Sequence, residues 1–185
     1  MKLITLKLIL LTLLVAAPVL AQDPRIQMNH LDHLFPKAVE TIDVSVDQSL
    51  IRLAAKFLKA DKQDEAAVRE VLNMVQGVYV KGVEFEHDNE FTPEDVQALR
   101  QQLTTPGWSR IVGIRSKHEG QNVEVFLMHD SDLIKGIGVL IHDPKKLMIV
   151  NVVGPLDPEK ISQLVGRFGI PKLDLDFSGM SKSTK

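Results

Sequence analysis

The chain contains no cysteine and few aromatic residues, with one Trp and one Tyr among its 185 residues. The absence of cysteine excludes disulfides, thiol nucleophiles and thiolate metal ligands. It also excludes the lipid-bearing cysteine that anchors bacterial lipoproteins. Because small secreted eukaryotic domains usually depend on disulfides, a cysteine-free chain of this size, if exported, fits a bacterial periplasm or exterior better, and its core alone must stabilise it.

A long apolar run is also missing. The run Leu8–Leu20 is interrupted by Thr12 and Pro18 and is shorter than the roughly 20 residues that a transmembrane helix needs. Basic residues precede it, and the small residue Ala21 ends it, which predicts a secretory signal peptide over residues 1–21, cleaved after Ala21. The alternative is an uncleaved membrane anchor. We therefore expect an exported protein, periplasmic or extracellular, with no membrane span after cleavage.

Charge of one sign does not dominate. Removing Lys2 and Lys7 with the signal peptide leaves 20 basic residues (22 − 2) against 24 acidic ones, a net charge of −4 with histidine neutral. Lys and Arg are scattered rather than clustered, whereas phosphate backbones require a basic face. Nucleic acid is therefore not an expected partner.

The periodicity predicts one α+β domain over residues 38–177, after an irregular lead-in over residues 22–37 and before a disordered tail over residues 178–185. The expected order of elements is β-α-α-β-α-β-β-β-β-α, because helical spacing dominates early and short turns separate alternating segments late. This order favours a single, largely antiparallel sheet with helices packed on one face. We expect the other face to be more polar, with Asp43, Ser45, Glu124 and Lys135.

Three local patterns are informative. Thr92-Pro93-Glu94-Asp95 is typical of a helix start, with a capping residue, a proline and two acids. The apolar parity of the segment Gly77–Glu86 changes at Gly82, which predicts a bulge or twist there. Gly136 and Gly138 lie inside a predicted strand, which indicates close packing more than phosphate binding.

Several segments resemble the exported bacterial family called domain of unknown function 4252. They are Glu40–Lys59, Gly77–Glu86, Pro106–Ser116, Asn122–Leu127, Met148–Asp157 and Phe168–Leu173. The resemblance implies export, sometimes as a lipoprotein, although this chain lacks the anchoring cysteine. It implies no activity, cofactor or functional residue. Some members are associated with regulators of envelope stress, which suggests a regulatory role.

Two small groups are candidate site residues. His30 and His33 share one helical face and could bind a metal with ligands from elsewhere; the alternative is an exposed segment. Trp108 and Arg110 are residue types favoured at binding hot spots; the alternative is that Trp108 packs at the edge of the core. No catalytic or cofactor-binding motif stands out.

These observations favour an exported, non-enzymatic domain that binds a protein or an envelope component. The alternatives are a small-ligand carrier or enzyme whose site is built from distant residues, and a regulatory partner in envelope stress signalling. The sequence leaves the oligomeric state open.

Overall fold

The structure is a computed structural model that describes residues 23–58, 63–116, 118, 120–130 and 132–161, with residues 63 and 64 described by their backbone alone. The predicted signal peptide, the predicted tail and the expected end of the last helix lie outside the described residues. The elements are a 3₁₀ helix at Asn29–Lys37, helices α1 (Gln48–Ala55), α2 (Gln63–Met74) and α3 (Pro93–Gln102), and strands β1 (Glu40–Asp47), β2 (Gly77–Glu84), β3 (Trp108–Arg115), β4 (Asn122–Asp130), β5 (Leu133–His142) and β6 (Lys146–Leu156).

The six strands form one antiparallel sheet in the order β1-β2-β6-β5-β4-β3. The four strands from β3 to β6 follow one another along the chain and pair as a meander, which then places β6 against β2. A last helix begins at residue 158, where Asp157 Oδ1 accepts a hydrogen bond of 2.8 Å from the Glu159 amide. The predicted α+β class, single antiparallel sheet and order of elements are confirmed.

Helix α3 begins where the sequence predicts. The Asp95 carboxylate accepts hydrogen bonds from the Thr92 amide at 2.8 Å and from the Thr92 hydroxyl at 3.0 Å. These bonds satisfy groups that a helix start leaves without intrahelical partners. Val96 and Leu99 of α3 are buried and face the sheet.

The face of the sheet that carries Phe126, Leu140 and Ile149, here the front face, holds the larger core. This front core is covered by α3, the lead-in and the 3₁₀ helix. Its buried members are Ile26, Met28, Leu31, Leu34, Val83, Phe85, Val96, Leu99, Leu103, Phe126, Leu140, Leu147 and Ile149. The lead-in, expected to be irregular, thus contains a 3₁₀ helix, because Leu31 and Leu34 are drawn into the core.

Among the described residues, the opposite or back face is covered at one end only. There α1, α2 and the start of the last helix pack over a second buried cluster, the back core: Ile51, Val75, Leu127, Ile134 and Leu156. Helices therefore contact both faces of the sheet, which corrects the expectation of helices on one face. The polar residues Asp43 and Glu124 lie on the front face, bonded to Lys81 and to two arginines, so the expected polar second face is also wrong.

Strand β2 runs through Gly82 without a bulge. Gly82 pairs with Ile42 on one side and Met148 on the other, in unbroken register. The apolar parity changes because β2 is covered on different faces at its two ends. Val78 packs in the back core, while Val83 packs in the front core. Of the bulge or twist predicted at Gly82, the bulge is therefore wrong.

Candidate functional site

A continuous row of six valines crosses the back face, one from each strand. Val44 pairs with Val80, Val80 with Val150, Val150 with Val139, Val139 with Val125, and Val125 with Val112. Directly paired residues of antiparallel strands point to the same face, so these six side chains lie side by side. We call them the valine row.

A second row lies two residues further along each strand. It consists of Ile42, Gly82, Met148, Ile141, Val123 and Ile114. The two rows together, here the apolar patch, contain no charged or polar side chain. Five gaps of about 4.8 Å between strands make the patch roughly 24 Å wide.

The apolar patch stays accessible within the described part of the chain. Neither the front core nor the back core includes any of its residues. Val44 is 41% exposed and Ile114 is 58% exposed, while the other apolar side chains of the patch are half-buried. On the other side of the valine row, Val46, Val78, Val152, Ile137 and Leu127 belong to the back core. The patch is therefore an uncovered continuation of that core.

An ion pair borders the patch at one corner. Lys146 Nζ lies 2.6 Å from Glu84 Oε2, and this hydrogen bond raises the pKa of Lys146. Beside the pair is a depression of about 10 Å³, lined partly by Ile42, Gly82 and Met148. That volume holds about one water molecule. The corner is suited to solvent rather than to an enclosed ligand.

Large uncovered apolar surfaces on soluble proteins usually mark interaction sites. A family model described as a domain of unknown function, DUF4252, matches residues 36–164. The chain belongs to the DUF4252 family. The match includes all six strands and therefore the whole apolar patch. No curated protein matches the chain.

The front face of this DUF4252 domain carries a charge cluster instead. Glu124 is 8% exposed; its Oε1 accepts hydrogen bonds from Arg100 Nε at 3.1 Å and Nη2 at 2.5 Å, and its Oε2 accepts one from Arg110 Nη1 at 3.2 Å. Burial would raise the pKa of Glu124, but the two arginines outweigh burial and hold that pKa below its ordinary value. Both carboxylate oxygens are engaged, so the cluster joins α3, β3 and β4.

His142 lies near this cluster. Burial, reinforced by the charge of Arg100, holds the pKa of His142 below its ordinary value. Its Nε2 atom is buried without a hydrogen-bond partner among the described residues. A neutral imidazole at this place avoids adding a third positive charge beside the two arginines.

The structure places Trp108 and Arg110 together on the front face of β3. Trp108 is half-buried and packs against the front core, and a Cβ added to Gly136 would lie 3.1 Å from its ring. Gly136 and Gly138 are thus close-packing positions, as predicted. The Arg110 side chain is 59% exposed and directed to Glu124. A role of Trp108 and Arg110 in partner binding stays a prediction.

His30 and His33 lie in the 3₁₀ helix. His33 Nδ1 lies 2.7 Å from the His30 carbonyl oxygen, and His33 Nε2 lies 3.3 Å from Asp95 Oδ1. Both ring nitrogens of His33 therefore have partners within the protein. Across the described ranges, no group of three or more histidine or acidic side chains is placed to hold a metal ion.

Two buried side chains, the amide of Asn151 and the ammonium group of Lys81, bond the lead-in to the front face. Asn151, fully buried, contacts the backbone of residues 24, 26 and 137. Lys81 Nζ lies 2.5 Å from Asp32 Oδ1 and 3.3 Å from Asp43 Oδ2. Burial lowers the pKa of Lys81, but the two carboxylates outweigh burial and raise it.

Sequence reasoning missed the apolar patch. The sequence analysis predicts a more polar second face for the sheet, whereas β4, β5 and β6 carry apolar side chains on both faces. The signal was present: Val123, Val125 and Leu127 alternate with Phe126 and Met128 in a nearly continuous apolar run. Runs of this kind are typical of strands with two apolar faces.

Proposed function

We propose that the protein is exported and that, after cleavage of its signal peptide, it acts as a non-enzymatic domain that binds another protein or an envelope component through the apolar patch. Export rests on the pattern of residues 1–21, which lie outside the described residues. None of the helices in the described part of the chain is long and apolar enough to cross a membrane.

The observation that carries the proposal is the register of the two apolar rows. The register aligns six valines, one exposed and five half-buried, side by side across six strands. The patch is also uncharged, which suits burial against another surface better than recognition of a small polar ligand. The ion pair of Glu84 and Lys146 at its corner resembles the polar rim of an interface.

The test uses neighbouring residues on the edge strand β1. Val44 lies in the patch, whereas Ser45 is exposed on the front face. The mature protein, Val44→Asp and Ser45→Asp are immobilised and used to capture proteins from the native envelope, with quantification by mass spectrometry. Both variants change the net charge by the same amount.

We expect Val44→Asp to reduce capture of the enriched component at least about tenfold, because an aspartate would be buried without a partner. Ser45→Asp should leave capture within about twofold. The pair Ile114→Asp and Gly113→Asp repeats the comparison at the other edge, on β3. Equal capture by the patch variants and their controls would reject the patch as the binding surface.

Cleavage of the predicted signal peptide is tested by a separate measurement. Mass spectrometry of the protein isolated from its native cells should give an N-terminus at Gln22. A chain that still carries residues 1–21 would contradict the predicted signal peptide.

A further inference from the structure

We propose that the chain's own segment of residues 162–177 lies across the apolar patch and is the occupant that an external partner must displace. This inference deepens the proposed function, because it concerns the regulation of the same surface.

Ile161, the last described residue, packs against the back core. That cluster contacts Val152 and Ile137, each of which lies two residues along its strand from a member of the valine row. Two residues of a strand span about 7 Å. The chain therefore continues on the face of the sheet that carries the uncovered rows.

The segment is long enough to cross the patch. Sixteen residues span about 24 Å as a helix and more than about 50 Å when extended. The patch is roughly 24 Å wide across the six strands. Either conformation would reach the edges from a starting point near the central strand β6.

The chemistry of the segment fits an uncharged surface. Its apolar side chains recur along its whole length: Leu164, Val165, Phe168, Ile170, Leu173 and Leu175. Asp174 and Asp176 alternate with Leu173, Leu175 and Phe177, so the three apolar side chains can face the patch while the acids face water.

Because the segment belongs to the same chain, it occupies the patch more readily than a separate molecule with equal contacts would. A short flexible connection gives an effective concentration on the order of millimolar, so weak contacts suffice to hold the segment. A partner that buries the same valines must then compete with it. Occupancy of the patch by its own chain would also protect the apolar surface from aggregation.

Cysteine cross-linking tests the proposal in the whole mature chain, because the protein has no cysteine of its own. Single cysteines are placed in the patch by Val44→Cys, Val139→Cys or Ile114→Cys. Each is combined with Phe168→Cys or Leu173→Cys, and the thiols are oxidised at low protein concentration. The matched controls are Ser45→Cys and Gly113→Cys, which lie beside patch residues but on the front face.

We expect an intramolecular disulfide with at least one patch cysteine at a yield at least about tenfold above that of the controls. Equal yields on both faces would overturn the proposal, because a segment held on the apolar patch cannot reach the front face. Disulfide-linked dimers without an intramolecular product would also overturn it and would assign the patch to a second copy.

A second measurement does not depend on introduced thiols. Leu173→Asp in the full chain should raise the fluorescence of an added apolar dye severalfold by releasing the segment, whereas Asp174→Asn should leave it near the wild-type value. Unchanged fluorescence in Leu173→Asp would contradict the proposal.

The two proposals fail in different ways. If the cross-link forms but Val44→Asp captures as much partner as Ser45→Asp, the segment occupies the patch and the proposed function is wrong. If capture depends on Val44 but no selective cross-link forms, the patch binds a partner and the segment does not regulate it. If both hold, the cross-linked chain should capture at least about tenfold less than its reduced form.

Discussion

Asn151 and Ile26 are joined by a hydrogen bond of 3.0 Å from the Ile26 amide to the Asn151 side-chain oxygen, across 125 positions of sequence. The Asn151 amide also donates to the carbonyls of Pro24 at 3.1 Å and Ile137 at 3.2 Å. One buried side chain therefore links the lead-in to the central strands β5 and β6. The lead-in is consequently part of the folded domain.

Replacing Asn151 with leucine should destabilise the protein by about 2–4 kcal/mol, because one buried and two partly buried backbone groups lose their partner. The measurement is chemical denaturation of the mature chain. Asn73→Ala, at an exposed position of α2, is the matched control and should change the free energy of unfolding by less than about 0.5 kcal/mol. A loss below about 1 kcal/mol in Asn151→Leu would show that the lead-in contributes little.

The two arginines that bind Glu124 should differ in their contributions. Arg100 donates two hydrogen bonds and its side chain is 33% exposed, whereas Arg110 donates one and is 59% exposed. We expect Arg100→Met to cost about 1–3 kcal/mol and Arg110→Met less than about 1 kcal/mol, by chemical denaturation at pH 7.

The cluster of Glu124, Arg100 and Arg110 should make the stability of the protein depend on pH in the acidic range. The pKa of Glu124 is lowered in the folded state, so its stabilising contribution is present above the ordinary value of about 4.3 and is lost as the pH falls through the folded pKa. The difference in stability between wild type and Glu124→Gln should therefore shrink below about pH 4. A difference that stays constant down to pH 2 would contradict the arginine contacts.

Lys81 should make the stability of the protein depend on pH in the alkaline range. Its pKa is raised in the folded state, so its contribution is complete below the unfolded value of about 10.4 and is lost as the pH rises through the folded pKa. Denaturation from pH 8 to pH 11.5 should show wild type losing its advantage over Lys81→Met above about pH 10. The exposed Lys145→Met is the control and should follow wild type throughout. Parallel curves for all three proteins would count against the contacts of Lys81 with Asp32 and Asp43.

Gly154 of β6 should not tolerate a side chain. Its φ of +150° is unfavourable for other residues, and an added Cβ would lie 2.3 Å from the Met74 carbonyl oxygen. Gly154→Ala should cost at least about 2 kcal/mol, because a backbone atom of α2 cannot move aside easily. Gly113→Ala, where the nearest atom lies 3.5 Å away on the flexible Arg110 side chain, should cost less than about 1 kcal/mol. Similar thermal melting of the two variants would contradict the close approach of α2 to β6.

The sequence predicts those parts of this fold that depend on neighbouring residues. Thr92 and Pro93 mark the start of α3 because capping is local, and the late strands pair as a meander because short turns separate them. The face that each side chain covers depends on distant segments. The change of apolar parity at Gly82 therefore predicts a bulge or twist, although Val78 and Val83 pack in different cores.

The candidate site could not be predicted for the same reason. The valine row exists only when six strands are placed in register, and Val44 lies 106 positions from Val150 in sequence. The hydrogen bonds of Asn151 with the lead-in also join residues that are far apart in sequence. His30 and His33 have metal-ligand spacing, but the contact of His33 with Asp95 depends on how the 3₁₀ helix packs on α3.

Site-specific photo-cross-linking in the native envelope tests the central claim most directly. A photoreactive side chain is placed at Val44 or Ile114, and at the front-face neighbours Ser45 and Gly113 as controls. We expect adducts from the two patch positions, either with one recurrent partner or with residues 162–177 of the same chain, at several times the yield from the controls. Adducts of equal yield from both faces, or none from the patch, would contradict the claim that the apolar patch is the contact surface.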